Sequence, residues 1–342
     1  MKQQQILLFF CLLCFTNSFS QNFLIKKENI FENPPFAECH ASTIVELSNQ
    51  KFMAAWFGGT RESNPDVCIW LANYEKGKWS KPEKIADGII NDNLRYPCWN
   101  PVLFKTAEGK LFLYYKVGKN PREWWGEMKS STDDGKTWSK AEKLPDDMLG
   151  PIKNKPIQLA NGDILYPTST ESKVGNKWHI HIEKSDKNAQ NWQKYTIDCD
   201  TFGVIQPSIL QYADNRLQLL CRSRQNYIVE TWSTDNGKTW GPLKTTNLPN
   251  PNSGTDAVTM KNGLQALVYN PLMKGKQWSN GRQKLNVATS TDGINWKDIF
   301  TLEDEQKGEF SYPAIIQSSD GLLHITYTND RKNVRYVVLD VK

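Results

Sequence analysis

The sequence predicts an all-β chain that folds as a six-bladed β-propeller. Short apolar segments alternate with turn residues, hairpin turns recur at regular intervals, and a Trp-terminated motif recurs in phase with those turns. No segment shows a sustained helical period. Together these patterns indicate four-stranded blades arranged in a ring.

The predicted strands are short segments rich in aromatic and β-branched residues. Such side chains favour a pleated, half-buried surface, and Gly, Asn, Asp or Ser bounds each segment. The clearest examples are residues 51–57, 67–73, 111–116, 163–167, 217–221 and 323–327.

Six predicted hairpin turns separate an apolar strand end from an apolar strand start. Gly, Asn and Asp accept a positive φ, so these turns are strong hairpin signals. They lie at residues 48–51, 107–110, 160–163, 213–216, 261–263 and 319–321. Their spacing of roughly 47–60 residues predicts one turn in each of six blades.

A second repeat, of the form S-x-D-x-G-x-T-W, occupies residues 131–138 and 233–240. A shorter copy covers 290–296, and degenerate copies end at Trp79 and Trp192. The Asp accepts backbone N–H groups, the Gly takes a positive φ and the Trp packs between sheets. We therefore expect these motifs to stabilise outer turns and to stay outside any active site. The last blade lacks a copy, and we expect residues 23–31 to complete that blade beside 323–327 and 334–340.

The first twenty residues have the pattern of an export signal. Lys2 precedes an apolar run over residues 6–15, which is too short to span a bilayer, and polar residues follow it. We predict cleavage near Ser20, a single propeller domain over residues 21–342 and a secreted or periplasmic location. Lipid attachment at Cys11 or Cys14 is less favoured because small residues do not precede either thiol. No later stretch is apolar enough to cross a membrane.

The formal net charge is +5, and no run of Lys and Arg accompanies it. This charge argues against a nucleic-acid partner but is compatible with a basic pocket for an anionic ligand. Nothing calls for a cofactor, since zinc-type and calcium-type ligand spacings are missing and the pair His179 and His181 lacks a third ligand. The odd number of cysteines after cleavage predicts buried thiols rather than a disulfide framework. These cysteines are Cys39, Cys68, Cys98, Cys199 and Cys221.

The Trp-terminated motif resembles the Asp-box of the sialidase (neuraminidase) superfamily, also called BNR repeat proteins. The order of polar residues is similar to that of exo-sialidases over nearly the whole mature chain. The resemblance implies that Asp66 is the acid/base and that Tyr312, in the segment S-Y-P-A, is the nucleophile. It also places Arg222 and Arg282 at the positions of two of the family's three arginines, and Gln206 at the position of its Glu.

Two departures from the family pattern indicate a divergent branch. His40 stands where the family has the arginine of the first blade, and Gln206 cannot take a proton from the nucleophile. Glu309, three residues before Tyr312, is a possible substitute for the missing base.

Further polar and aromatic residues lie near the starts of predicted inner strands, where a propeller lines its central pocket. We expect Trp99, with Trp124 and Trp125, to offer ring faces to sugars. The predicted substrate-binding set is His40, Arg61, Trp99, Asn100, Arg222, Arg224 and Arg282.

The resemblance implies an exported exo-glycosidase that removes a terminal acidic sugar, such as sialic acid, with retention of configuration. Clustered arginines would bind the sugar carboxylate, and a neutral Tyr would avoid the repulsion that a carboxylate nucleophile meets there. One alternative is another polysaccharide-active enzyme, either a glycosidase for a uronic or deoxy sugar or a lyase with His40 and Tyr312 as base and acid. Another is a non-catalytic glycan-binding propeller. We expect a monomer with a glycan as its partner.

Overall fold

The computed structural model describes residues 23–199, 201–277 and 280–341, so the predicted export signal lies outside the described residues. Within those ranges the regular structure consists of β-strands and two short 3-10 turns, Ser48–Gln50 and Val174–Asn176. The described residues contain no helix of the length and apolarity that a membrane crossing requires. The all-β prediction is confirmed.

The strands form six antiparallel blades, preceded by the single strand β1 (Leu24–Asn29). Blade one contains β2 (Glu38–Glu46), β3 (Phe52–Gly59), β4 (Cys68–Glu75), β5 (Lys78–Trp79) and β6 (Glu83–Ala86). A separate hairpin contains β7 (Ile89–Asn91) and β8 (Leu94–Arg95). Blade two contains β9 (Cys98–Lys105), β10 (Leu111–Val117), β11 (Trp125–Ser131) and β12 (Glu142–Lys143).

The remaining four blades repeat the same order from the axis outward. Blade three contains β13 (Ile157–Gln158), β14 (Ile164–Glu171), β15 (Trp178–Ser185) and β16 (Gln193–Thr196). Blade four contains β17 (Val204–Gln211), β18 (Leu217–Ser223), β19 (Tyr227–Ser233) and β20 (Lys244–Pro249). Blade five contains β21 (Asp256–Thr259), β22 (Gln265–Tyr269), β23 (Lys284–Ser290) and β24 (Lys297–Asp304). Blade six contains β25 (Phe310–Gln317), β26 (Leu323–Asn329) and β27 (Asn333–Leu339).

The N-terminal strand β1 closes the ring. It pairs antiparallel with β27, from Leu24 opposite Leu339 to Asn29 opposite Arg335, and so becomes the outer strand of blade six. Because the first and last described strands share one sheet, the ring cannot open at this blade unless the hydrogen bonds between β1 and β27 break. The prediction that residues 23–31 complete the last blade is confirmed.

All six predicted hairpin turns connect the innermost strand of a blade to the next strand. They share one bond, from the N–H of the first loop residue to a carbonyl four residues later, as in Thr106 to Lys110 (2.9 Å) and Met260 to Leu264 (2.8 Å). A positive φ precedes the acceptor in each of these two turns, at Gly109 (91°) and at Gly263 (84°). Each of these two turns therefore requires a residue with a left-handed backbone conformation just before the acceptor.

The Asp-box motifs lie between the third and fourth strands of their blades, far from the innermost strands. Their carboxylates accept backbone N–H groups, as in Thr137 to Asp133 (2.9 Å) and Thr239 to Asp235 (2.9 Å). The motif of blade five also contacts blade four, because the amide of Gln218 donates to the carbonyl of Gly293 (2.9 Å). The motifs thus have the predicted structural role.

The apolar core lies between neighbouring blades. One cluster joins Met53 and Leu71 of blade one to Leu103 and Leu113 of blade two, and the others repeat this arrangement around the ring. The five cysteines among the described residues are all buried, as predicted.

Candidate active site

Four β-bulges shape the candidate site. They lie in the innermost strands of blades one, two, four and six. The strand register breaks at each bulge, and one non-glycine residue there has a positive φ. These residues are Ala41 (55°), Asn100 (36°), Gln206 (55°) and Tyr312 (51°). Each such conformation costs about 1–3 kcal/mol and persists where the surroundings enforce it. The bulges re-aim side chains near the axis, where propellers carry their functional groups.

Tyr312 is the residue on which the site converges. Its phenol oxygen accepts hydrogen bonds from Nη1 of Arg222 (2.7 Å) and from Nε2 of Gln206 (3.3 Å). Arg222 also donates through Nη1 to Oε1 of Gln206 (3.3 Å) and through Nε to Oδ1 of Asn252 (2.7 Å). The three acceptors of Arg222 are all neutral. The positive charge of its half-buried guanidinium is therefore not paired with a carboxylate among them.

A second group of charges surrounds Glu309. Its carboxylate accepts from Nη1 of Arg282 (2.8 Å), from Nε of Arg331 (2.9 Å) and from the hydroxyl of Ser311 (2.9 Å). Burial opposes the charged form, but nearby positive charges, those of Arg331 and Arg282 among them, outweigh it and hold the pKa of Glu309 below its usual range. Arg331 also forms an ion pair with Glu62.

This arrangement assigns Glu309 a different role from the predicted one. A base with so low a pKa is weak, and both of its oxygens are hydrogen bonded to guanidinium groups rather than directed to the phenol. Glu309 instead orients Arg282, whose Nη2 also donates to the carbonyl of Asn252 (3.2 Å). Because Asn252 contacts both Arg222 and Arg282, the two arginines lie on one side of the site.

His40 packs against the nucleophile candidate instead of supplying a charge. Its ring centroid lies 4.1 Å from that of Tyr312, and Nδ1 is 2.8 Å from the hydroxyl of Thr328. Burial, with the nearby Arg331, holds the pKa of His40 well below 6.5 despite the opposing charge of Glu309. The imidazole is therefore neutral at neutral pH, so His40 does not replace the charge of an arginine.

Asp66 lies on the exposed loop between β3 and β4. Its Oδ2 accepts from the N–H of Thr60 (2.8 Å) and from the Thr60 hydroxyl (2.6 Å), which fixes the carboxylate orientation. The neighbouring Arg61 is exposed. Glu62 of the same loop reaches Arg331 and so connects the loop to blade six.

The prediction that Trp99 offers a ring face to sugars is wrong. Trp99 is only 4% exposed, and its indole N–H donates to the carbonyl of Gly118 (2.8 Å). Its ring packs edge-on against Phe57 and Trp124, which leaves no open face for a sugar. Trp124 and Trp125 are half-buried and line a cleft of 290 Å³ between blades two and three.

Arg224 and Asn100 flank the site in different ways. Arg224 is exposed, with its guanidinium 4.0 Å from the ring of Trp178 and bonded to the carbonyl of Asn176 (2.7 Å). Arg222 lies over the same indole at 5.4 Å. Asn100 is buried at the bulge of blade two.

Sequence reasoning missed two cations of the site. Lys153, just before β13, is buried and donates to oxygens of blades three, five and six. The polar segment K-N-K-P at the start of that inner strand was the available signal. Arg331 lies in the hairpin between β26 and β27, and no local pattern distinguishes it from a surface residue.

The described residues contain no group of three side chains that could hold a metal ion. His181 is 3.0 Å from the carboxylate of Glu183, which also accepts the N–H groups of Leu149 (2.9 Å) and Gly150 (2.7 Å). His181 therefore belongs to the packing of blade three.

The comparisons with solved structures support the fold at low sequence identity. A protein of unknown function from Dyadobacter fermentans superposes with a TM-score of 0.76 at 15% identity, covering 93% of this chain and 99% of that chain. The NanB sialidase from Streptococcus pneumoniae gives 0.72 at 12%, covering 92% and 70%. The Trypanosoma rangeli sialidase gives 0.70 at 17%, covering 89% and 55%.

A search of curated proteins returns no match. The family model of the BNR repeat-like domain matches residues 50–325, which span blades one to six. Because this match extends over most of the chain, the chain belongs to the BNR repeat-like domain family.

Proposed function

We propose that the protein is an exported, sialidase-like exo-glycosidase that removes a terminal acidic sugar from glycans with retention of configuration. One observation carries this proposal: the phenol oxygen of Tyr312, on a positive-φ bulge of an innermost strand, accepts a 2.7 Å bond from Arg222. Strained backbone that aims a nucleophilic group at a cation is typical of a functional site.

The charges of the site support an anionic ligand. Arg282 and Arg331 share the carboxylate of Glu309, and Arg331 also pairs with Glu62. The positive charge of Arg222 is matched only by neutral acceptors in its own hydrogen-bond set. One carboxylate on the substrate would supply the missing negative charge, and a guanidinium fork can bind it bidentately.

The proposed reaction proceeds in two displacements. As the oxygen of Tyr312 bonds to the anomeric carbon, its phenol proton passes to solvent water, and Arg222 stabilises the negative charge that develops on the oxygen. Asp66 gives its proton to the leaving oxygen as the glycosidic bond breaks. Asp66 then takes a proton from water, the water oxygen bonds to the anomeric carbon, and Tyr312 leaves as the phenolate. Solvent water, rather than Gln206, accepts the phenol proton and returns one when the phenolate leaves.

A lyase is the second candidate, and the contact between His40 and Tyr312 favours it. The neutral imidazole, anchored at Nδ1 by Thr328, packs 4.1 Å from the phenol ring. In a β-elimination His40 would remove the proton next to a uronate carboxylate, and Tyr312 would protonate the leaving oxygen.

Product analysis with the full chain tests these functions. We expect release of a free acidic sugar from an α-sialoside or another terminal acidic glycoside, with Tyr312→Phe slowed at least about 10³-fold. Tyr195→Phe is the matched control, because the hydroxyl of Tyr195 bonds Gln193 on the outer strand of blade three. An unsaturated uronate product would establish the lyase instead, and binding without turnover would establish a glycan-binding propeller.

A further inference from the structure

Lys153 is a buried cation at the centre of the ring, and the proposed reaction does not use it. It is 3% exposed, and its ammonium donates to Oδ1 of Asn154 (2.8 Å), the carbonyl of Thr255 (2.9 Å) and the carbonyl of Pro313 (2.5 Å). These oxygens belong to blades three, five and six. An ammonium has three N–H donors, so the three bonds use all of them.

Lys153 and Asn154 donate hydrogen bonds to the backbone of two bulges, those of Tyr312 and Gln206. The side chains of these two residues meet at the phenol oxygen. Pro313 directly follows Tyr312, and Nδ2 of Asn154 donates to the backbone carbonyl of Gln206 (3.0 Å). A Cβ at Gly254 would lie 3.0 Å from Cε of Lys153 and 3.2 Å from Oε1 of Gln206. The lysine stem, the Gln206 amide and the backbone of blade five are thus packed closely together.

We propose that Lys153 is a positioning residue for Tyr312, and that loss of its proton releases the bulge that holds the phenol beside Arg222. The functional part of this inference rests on the proposed role of Tyr312 as nucleophile. The structural part concerns only the link between a buried ammonium and the Tyr312–Pro313 backbone.

The physical basis is the change in donor number. A neutral amine has two N–H donors and a lone pair, so one of the three oxygens loses its bond and faces that lone pair. Deprotonation also removes a positive charge that lies 5.9 Å from the centroid of the Tyr312 ring. Both changes disfavour a phenolate held close to Arg222.

The charged groups around Lys153 place this change near neutral pH. Burial lowers its pKa to about 7, Asp256 of β21 opposes the shift, and Lys155 and Arg222 of β18 add to it. The ammonium therefore predominates below pH 7, and the neutral amine predominates above it.

The first test is the pH profile of kcat for the full chain. We expect kcat to fall as pH rises through about 7, and we expect Lys153→Met to remove that fall and lower kcat by about 10²-fold, with KM changed less than about twofold. Lys116→Met is the matched control. Lys116 is also fully buried with its pKa lowered by burial to about 7, but it donates to the carbonyl of Pro151. This variant should keep the fall in kcat.

The second test does not depend on turnover. The carbon-13 resonance of the Tyr312 phenol carbon, assigned by its absence in Tyr312→Phe, should shift with an inflection near pH 7. Lys153→Met should abolish the inflection and Lys116→Met should keep it. If Lys153→Met does not fold, Lys153→Arg serves instead, because a guanidinium does not lose its proton in this range.

An inflection that persists in both Lys153 variants would overturn the inference. A Lys153-dependent inflection in a protein that turns over no acidic glycoside would retain the link to Tyr312 and refute the proposed function.

Discussion

The phenol oxygen of Tyr312 lies 2.7 Å from Nη1 of Arg222, although the two residues belong to blades six and four. Gln206, from the innermost strand of blade four, completes a triangle of hydrogen bonds with them. The contact exists because the ring brings innermost strands together at the axis and because bulges re-aim Gln206 and Tyr312.

Arg222→Gln should weaken the binding of an anionic sugar while preserving the fold. Hydrogen bonds to charged groups contribute about 1.5–3 kcal/mol, so we expect the Kd of the released acidic sugar to rise about 10- to 100-fold in calorimetric titration. Arg216→Gln is the matched control, because Arg216 lies in the hairpin between β17 and β18 and pairs with exposed Asp214. Equal affinity in the two variants would contradict the assignment of Arg222 to the ligand carboxylate.

Replacing the Asp-box glycine of blade five should destabilise the fold far more than replacing a hairpin glycine with a similar backbone conformation. A Cβ on Gly293 (φ 75°) would lie 2.0 Å from the hydroxyl of Tyr212, whereas a Cβ on Gly263 (φ 84°) would meet open space. We expect Gly263→Ala to lower the free energy of unfolding by about 1 kcal/mol through backbone strain. Gly293→Ala should lower it by about 3 kcal/mol or more, because the clash adds to that strain. Similar losses in chemical denaturation would show that the motif does not pack against blade four.

His324 should make the fold less stable as the medium becomes acidic. Burial lowers the pKa of its imidazole to about 4, although the charge of Asp320 opposes this shift. Its ring nitrogens contact the hydroxyls of Tyr336 (2.7 Å) and Ser318 (2.9 Å). Between pH 6.5 and 4 the unfolded chain binds a proton that the folded chain does not, so the free energy of unfolding falls by up to about 3 kcal/mol.

The comparison of His324→Phe with the natural chain isolates this contribution. We expect the slope of unfolding free energy against pH between 4 and 6.5 to be smaller in the variant. The pH range differs from that of Glu309, whose stabilising charge is lost only as pH falls below about 4.5. An unchanged slope between pH 4 and 6.5 would exclude His324 as its source.

The fold was predictable because its signals are local. The hairpin turn around Gly263 and the motif from Ser131 to Trp138 each contain their own turn chemistry within a few residues. The repetition of these units set the number of blades. The pairing of β1 with the last blade was also predicted, for a blade that lacks a copy of the Trp-terminated motif.

Residues of the candidate site could be predicted only where they matched a position of the family's sequence pattern. Asp66, Gln206, Arg222, Arg282 and Tyr312 could be named in this way, but their contacts could not. Lys153 and Arg331 act through bonds to residues of other blades, such as Pro313 and Glu62, and those bonds leave no local pattern. Trp99 was misassigned because its burial depends on the packing of Phe57 and Trp124 around it.

The most direct test of the central claim, that Tyr312 is the nucleophile, is covalent trapping with a fluorinated derivative of the acidic sugar that the protein releases. We expect mass spectrometry of the digested protein to find the sugar on the peptide that contains Tyr312, and to find no adduct in Tyr312→Phe. Full activity in Tyr312→Phe, or an adduct on a different residue, would contradict the account.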